Sequence, residues 1–244
     1  MQGFIPAAGR GTRLKPFTEK HPKALLPIAD ETLLSIVIRR MEQQGVKHIV
    51  INVHHFAEQI ISYIHKNQWD VEIVISDESL MLMDTGGGLK QAAPLFLPDE
   101  PILIHNVDVI SSIDLQHFIE VHRSDRSIAT LAVSHRDTAR KLLFGQGRRL
   151  IGWHNALNDQ YLWCDKPATR YDSLAFSGIS IIEPALLELL PEAHKPYPII
   201  PEYLRIAKKH TISYFEHDPA TWMDVGKTEV IDQAQSFYNT ISKR

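Results

Sequence analysis

The sequence predicts an α/β protein, with a mixed, mainly parallel sheet flanked by helices in a Rossmann-like arrangement. Three observations carry this. Unbroken apolar runs such as His48-Ile49-Val50-Ile51-Asn52-Val53 are the pattern of strands buried on both faces. Apolar stripes at helical spacing alternate with those runs, as in repeated strand–helix–strand units with right-handed crossovers. A glycine-rich loop follows the first strand, at the carboxyl end where ligands bind in such sheets.

In chain order, Gly3-Phe4-Ile5 begins the first strand and opens into Ala7-Ala8-Gly9-Arg10-Gly11-Thr12-Arg13-Leu14-Lys15-Pro16, with Pro22-Lys23 shortly after. Gly9 and Gly11 let backbone N–H groups approach a ligand that a Cβ would hold off, and turned amides of this kind cradle anions. Arg10, Arg13, Lys15 and Lys23 place four cations in one loop, more than a solvated turn requires. The loop is therefore read as a phosphate grip. Leu33, Ile36, Val37, Arg40, Met41 and Gln44 stripe a helix, with Thr32 as its N-cap and Gly45 as its stop. The 48–53 strand, a helix over 56–64 and a strand over 71–75 follow.

Asp84-Thr85-Gly86-Gly87-Gly88 is expected as a loop before a helix beginning at Leu89, its glycines admitting a flat ring or a phosphate against backbone. The 101–105 strand ends in Asn106-Val107-Asp108. A carboxylate half-buried at a strand tip is costly without a partner, and a hard divalent cation bridging to phosphates would supply one. Asp108 could instead cap a helix, but Asp114 is better placed to cap the helix over 115–122. A strand at 128–133 precedes the stretch 134–174, expected as an irregular inserted lobe whose one regular feature is a hairpin of 142–144 with 150–153. The 175–182 strand contains Gly178, which marks a bulge or a closely approaching ligand. Helices over 184–190 and 199–208, a strand over 212–215, a β-like 222–225 and a final helix over 229–241 complete the chain. Gly226-Lys227-Thr228 imitates the end of a P-loop, but Thr221 stands where that pattern needs glycine. Asp224 offers a second acidic residue, with capping of the last helix as its plainer reading.

The 244 residues are 44% hydrophobic with a formal charge of −3, without the strongly basic balance of nucleic-acid binders. No apolar run approaches a membrane span, and no charged-then-apolar signal opens the chain. Cys164 stands alone, which points away from a disulfide framework and to a reducing, cytoplasmic setting. One domain over 1–244 is expected.

The 7–14 loop with Pro22-Lys23 resembles the signature of the sugar-1-phosphate nucleotidylyltransferases, and the segments 84–88, 106–108, 176–179 and 222–226 fall in that family's order. Among subgroups the chain is most similar to the short N-acetylmuramate-1-phosphate uridylyltransferases and the mannose-1-phosphate guanylyltransferases. The resemblance implies a GT-A-type fold without the C-terminal β-helix of longer members, and Mg²⁺-dependent attack of a sugar phosphate on the α-phosphorus of an NTP. By similarity Arg13 would hold the departing pyrophosphate, Lys23 the α-phosphate, and Asp108 with Asp224 the Mg²⁺. Ala7, Ala8, Gly9, Gly11, Thr12, Thr85, Gly87 and Asn106 would receive the nucleotide, and Phe176 and Gly178 would face the sugar. Asp165-Lys166-Pro167 is similar to the family's Glu-Lys-Pro sugar-phosphate motif, which makes Lys166 a candidate ligand, with Arg140 as a rival anchor. Val107 departs from the small residue usual before the Asp, and Lys227 stands where many members have Thr. The partners implied are an NTP and a sugar 1-phosphate, with a monomer or small homo-oligomer as the assembly. Competing readings are a cytidylyltransferase using a choline-type cage of Trp153, Tyr161, Trp163 and Trp222, and an inactive regulatory relative, which the intact Arg13, Lys23, Asp108 and Asp224 disfavour.

Overall fold

Apolar alternation decides which way every strand faces, and in the computed structural model, which describes residues 1–242, it builds two cores on one sheet. Strands β1 (Gln2–Pro6), β2 (Pro27–Ile28) and β3 (Glu31–Thr32) lead into helix α1 (Leu33–Gln43). Thr32 caps α1 in a reciprocal capping box with Ser35, and the side-chain contacts of both orphan amides explain why the helix begins there. Then come β4 (His48–Val53), α2 (Ala57–Lys66), β5 (Glu72–Asp77), α3 (Asp84–Ala92), β6 (Ile102–His105) and β7 (Val109–Ser111). Asp114 Oδ1 accepts from the His117 amide and starts α4 (Leu115–Asp125), as expected.

Beyond it run β8 (Ala129–Ser134), β9 (Arg140–Phe144), β10 (Leu150–Asn155), β11 (Gln160–Trp163) and the long β12 (Asp172–Ile182). The chain finishes with α5 (Ala185–Leu189), α6 (Ile199–Ala207), β13 (Ile212–Glu216), β14 (Trp222–Asp224) and α7 (Ile231–Ile241).

Ten strands form one sheet with the path β11-β10-β9-β12-β6-β1-β4-β5, and β8 and β13 branch from β12. The expected mixed α/β sheet is present. Pairing is parallel among β6, β1, β4 and β5, and antiparallel wherever β12 takes part. Period-two alternation sends Ile5, Ile49 and Ile51 into a core under α1, α2 and α4, while Phe4 and Val50 enter a second core under α3, α5 and α6. A third cluster joins Leu14, Ile28, Leu33, Ile36, Ile110 and Val225 to α7.

Two expectations are corrected. The glycines of 84–88 are not a loop: α3 starts at Asp84 and contains them. Close packing explains this, because a Cβ on Gly86 would lie 2.6 Å from the Tyr197 ring and one on Gly88 would lie 2.5 Å from Glu78 Oε1. The stretch 134–174 is not irregular either, since β9, β10 and β11 make an antiparallel ribbon on the end of the main sheet. Alternation there is masked by exposed aromatics: Tyr161 stacks between His154 and Trp163 on the open face. Strand β12 joins ribbon to core, pairing β9 through Asp172–Leu174 and β6 through Ile179–Ile182, with a register shift against β8 between Phe176 and Ser180. Gly178 sits in that bulge at φ +71°, as its place in the strand predicted.

Candidate active site

The carboxyl ends of β1, β4 and β6 and the bulge of β12 surround a cleft with two compartments. The first, about 380 Å³, is lined by Ala8, Gly9, Lys23, Asn52, Glu78 and Thr85 among others. The second, about 360 Å³, includes Arg136, Arg140, Phe176, Gly178, Trp222 and Asp224. Both share Asn106 and Asp108, so the strand-tip segment is the wall between them.

Sheet pairing brings the two acidic candidates together across 116 positions of sequence. Short β7 pairs with β14 so that Val109 faces Asp224, and the Val225 amide donates to Asp108 O at 2.8 Å. Lys23 forms an ion pair with Asp108, its side chain only 10% exposed. Burial and the Asp108 charge push the Asp224 carboxyl above its usual range, while Lys23 and Arg13 pull it back. A Cβ on Gly226 would lie 2.6 Å from Asp224 Oδ1 and 2.9 Å from Arg13 Nη2, so glycine there lets the guanidinium and the carboxylate converge. Arg13, Lys23, Asp108 and Asp224 thus form one charged centre at the junction of the compartments. Among the described residues no group of three or more His, Cys, Asp and Glu could hold a metal. A hard divalent cation that takes its other ligands from phosphate and water fits a two-carboxylate donor set.

The opening loop folds as three 3₁₀ turns, over Thr12–Leu14, Phe17–Glu19 and Lys23–Leu25. Its glycines differ in role. Nothing lies within 4 Å of a Cβ built on Gly9, which faces the first compartment. Gly11 lines neither compartment; at φ +59° it packs on Lys23, where a Cβ would meet the lysine stem at 2.8 Å. The Ala7 amide is taken by Asn52 Oδ1 at 2.8 Å. Thr12 turns to an outer groove with Arg10 and Lys15. Thr85 stands in the first compartment, with Oγ1 accepting from the Ile199 amide, but the Gly87 amide is spent on Tyr197 O at 3.2 Å. Gly87 therefore has no free N–H for a ligand.

In the second compartment Phe176, Gly178 and Arg140 gather as expected. Lys166 does not join them. It is exposed and follows the buried Cys164, beside a separate depression of about 1060 Å³ that Pro167 and Tyr171 border. Nor do the four aromatics form a cage: Trp153 and Trp222 line the cleft, while Tyr161 and Trp163 stack on each other along β11. Gly226-Lys227-Thr228 holds the opening loop, with Thr228 Oγ1 donating to Arg13 O and Lys15 O at 3.4 Å each.

Sequence reasoning missed three groups. Glu78, buried, accepts from Asn52 Nδ2 at 2.6 Å and from the Met83 amide at 2.9 Å, and burial raises its carboxyl. Its signal was available, since it follows the end of β5 much as Asp108 follows β6. Asn52, a polar residue near the end of a buried strand, was also visible. Arg136 carried no signal, because its position depends on the remote bulge in β12.

Comparisons with known proteins bear on the family and the fold. The family model described as nucleotidyl transferase matches residues 2–241. The N-acetylmuramate alpha-1-phosphate uridylyltransferase of Caulobacter vibrioides is 29% identical over 231 residues, covering 91% of this chain and 90% of that protein. The mannose-1-phosphate guanyltransferase of Yarrowia lipolytica is 27% identical over 252 residues, covering 100% of this chain but 66% of that longer protein. A crystal structure of UDP-glucose pyrophosphorylase with UDP-glucose superposes with a TM-score of 0.73 at 19% identity, covering 100% of this chain and 99% of that one, and so shares the fold. The chain belongs to the nucleotidyl transferase family and is an enzyme of that class, as its opening loop implied.

Proposed function

We propose that this enzyme transfers a nucleotidyl group from an NTP to a sugar 1-phosphate and releases pyrophosphate, with UTP and N-acetylmuramate 1-phosphate as its substrates. The observation that carries the reading is the meeting of Arg13, Lys23, Asp108 and Asp224 where two substrate-sized compartments share one wall. Such a reaction needs positioning and charge neutralisation more than covalent help, and the site supplies both. Ala8, Gly9, Thr85 and the Asn52–Glu78 pair receive the nucleoside. Arg13 holds the departing pyrophosphate, and Lys23 the α-phosphate. Asp108 and Asp224 are the residues that would hold Mg²⁺, which when bound withdraws charge from the α-phosphate. The second compartment takes the sugar against Phe176, Trp153 and Gly178.

The choice of acceptor rests on the relatives and on charge. Arg136, Arg140 and Lys141 all line the second compartment, and none forms an ion pair among the described residues. A sugar that is itself an acid suits that surplus. A quaternary ammonium does not, because the Arg136 guanidinium already covers Trp222 at 3.5 Å. The lobe belongs to the same ten-stranded sheet as the nucleotide half, so we read the chain as one catalytic domain. No described helix is long and apolar enough to cross a membrane. A cytoplasmic setting suits the buried thiol of Cys164, which burial pushes up to about 11.

The test is pyrophosphate release with UTP, GTP and CTP against N-acetylmuramate, mannose and glucose 1-phosphates and phosphocholine. The expected result is fastest release with UTP and N-acetylmuramate 1-phosphate. Preference for GTP with mannose 1-phosphate would move the enzyme to the guanylyl group, and silence across the grid would sink the reading.

A further inference from the structure

Around the bulge at Gly178 two backbone carbonyls of β12 accept from side chains, and those contacts build a fixed cation. Strand β12 shifts register against β8 between Phe176 and Ser180, and Phe176 O and Ser177 O lie where the shift begins. Arg136 Nη2 donates to Phe176 O at 2.7 Å, and Trp222 Nε1 donates to Ser177 O at 2.7 Å. Arg136 Nε donates to Ser134 Oγ at 2.9 Å, and the guanidinium lies 3.5 Å above the Trp222 ring. Three contacts thus hold one planar fork in place. Two of its five N–H groups are used, and three remain for a ligand.

Position narrows what that ligand is. Arg136 forms no ion pair among the described residues and lines the acceptor compartment together with Asp108 and Asp224. Trp222, which it covers, is two residues before Asp224 on β14. The fork therefore lies on the side of the compartment where the reacting phosphate must reach the charged centre. Arg140 and Lys141, on β9, lie in the ribbon and lack such fixing contacts. A planar, pre-oriented guanidinium suits bidentate recognition of a phosphate monoester. We propose that Arg136 is the residue that anchors the 1-phosphate of the acceptor sugar, the role the sequence motif would have given to Lys166. The inference rests on the proposed nucleotidyl transfer and adds the residue that binds the nucleophile.

The test compares the wild type with Arg136→Met, which keeps an unbranched stem over Trp222 without charge, and Arg136→Lys. KM for the sugar 1-phosphate, KM for the NTP, kcat and the melting temperature are measured for each. Arg136→Met should raise the acceptor KM by about 20-fold or more, the size of a lost charge-assisted bidentate contact. The NTP KM should stay within about twofold, and the lysine variant should recover part of the loss. Added guanidinium should restore acceptor use in the methionine variant, a rescue that a merely structural arginine would not show. An unchanged acceptor KM, or equal rises in both KM values, would overturn the assignment. If the wild type turns over no pair at all, the functional reading fails separately. Titration with inorganic phosphate then decides the site alone: binding lost in Arg136→Met supports the anchor, and binding retained refutes it.

Discussion

The two compartments of the cleft are built by halves of one sheet that pair differently. The half proposed to take the nucleotide is parallel, made of successive strand–helix units, and Pro6, Asn52, Glu78 and Asn106 line it from at or beside the ends of their strands. The half proposed to take the acceptor is organised by β12, a strand that pairs antiparallel with three neighbours and is bulged at Gly178. Polar groups in the first half link neighbouring strand ends, as Asn52 links the Ala7 amide to Glu78. In the second half they gather on the bulged strand, as Arg136 does on Phe176 O and Trp222 on Ser177 O. Strand-tip chemistry is the stable inheritance of a parallel sheet, whereas bulge chemistry can be re-aimed by a single residue.

Substitutions can break or sharpen this contrast. Asp108→Asn acts on the shared wall and should lower turnover by about 100-fold or more, and the melting temperature should fall as well, because the buried Lys23 loses its carboxylate. Pyrophosphate release and thermal unfolding check both halves of that statement, and near-normal turnover would remove Asp108 from the charged centre. Gly178→Ala should strike the acceptor half harder than the other. Its Cβ would lie 2.7 Å from Asn106 Nδ2 at a φ of +71°, so the bulge must shift; a rise of about tenfold in acceptor KM is expected, with a smaller rise in the NTP KM because Asn106 lines both compartments.

The mirror experiment is Glu78→Gln. The amide cannot accept from both Asn52 Nδ2 and the Met83 amide with the same geometry, so the NTP KM should rise by about fivefold while acceptor binding is kept. If both KM values rose equally in either variant, the compartments would not be separate units.

At the seam between the halves, His105 on β6 is fully buried, and burial holds its ring down to about 4 from an ordinary 6.5. The folded state therefore favours the neutral ring. Its contribution is complete above pH 6.5 and is lost as pH falls toward 4, by about 3 kcal/mol in all. Urea midpoints measured between pH 7 and pH 4 should fall less steeply in His105→Asn than in the wild type. Lys166→Ala should do least, leaving the acceptor KM within about twofold, since the residue lies outside the cleft. A large rise would return the anchoring role to the ribbon.

Much of the nucleotide half was legible in the sequence. The 48–53 run, the Thr32 cap and the carboxylate after β6 are local signals, and each lies where expected; of the loop after β1, Ala8, Gly9 and Lys23 line the cleft while Gly11 and Thr12 do not. Reading failed where a residue's role depends on a distant partner. The three glycines of α3 were read as an open loop, because nothing nearby in the chain reveals the Tyr197 ring and Glu78 packed against them. Lys166 looked like a ligand because its neighbours spell a motif, yet the antiparallel ribbon carries it away from the cleft. Arg136 stands in a polar stretch like many arginines, and only the bulge between Phe176 and Ser180 singles it out.

The Lys23–Asp108 ion pair has a consequence for how ligands enter. The two charges neutralise each other at the wall that the two compartments share. In the proposed reaction Lys23 would turn to phosphate and Asp108 would help to hold a divalent cation, so this pair has to be given up before either contact is made. Part of the attraction for an anion is thus already spent inside the protein. Nucleotide binding should therefore vary less with ionic strength than a loop carrying four cations would suggest.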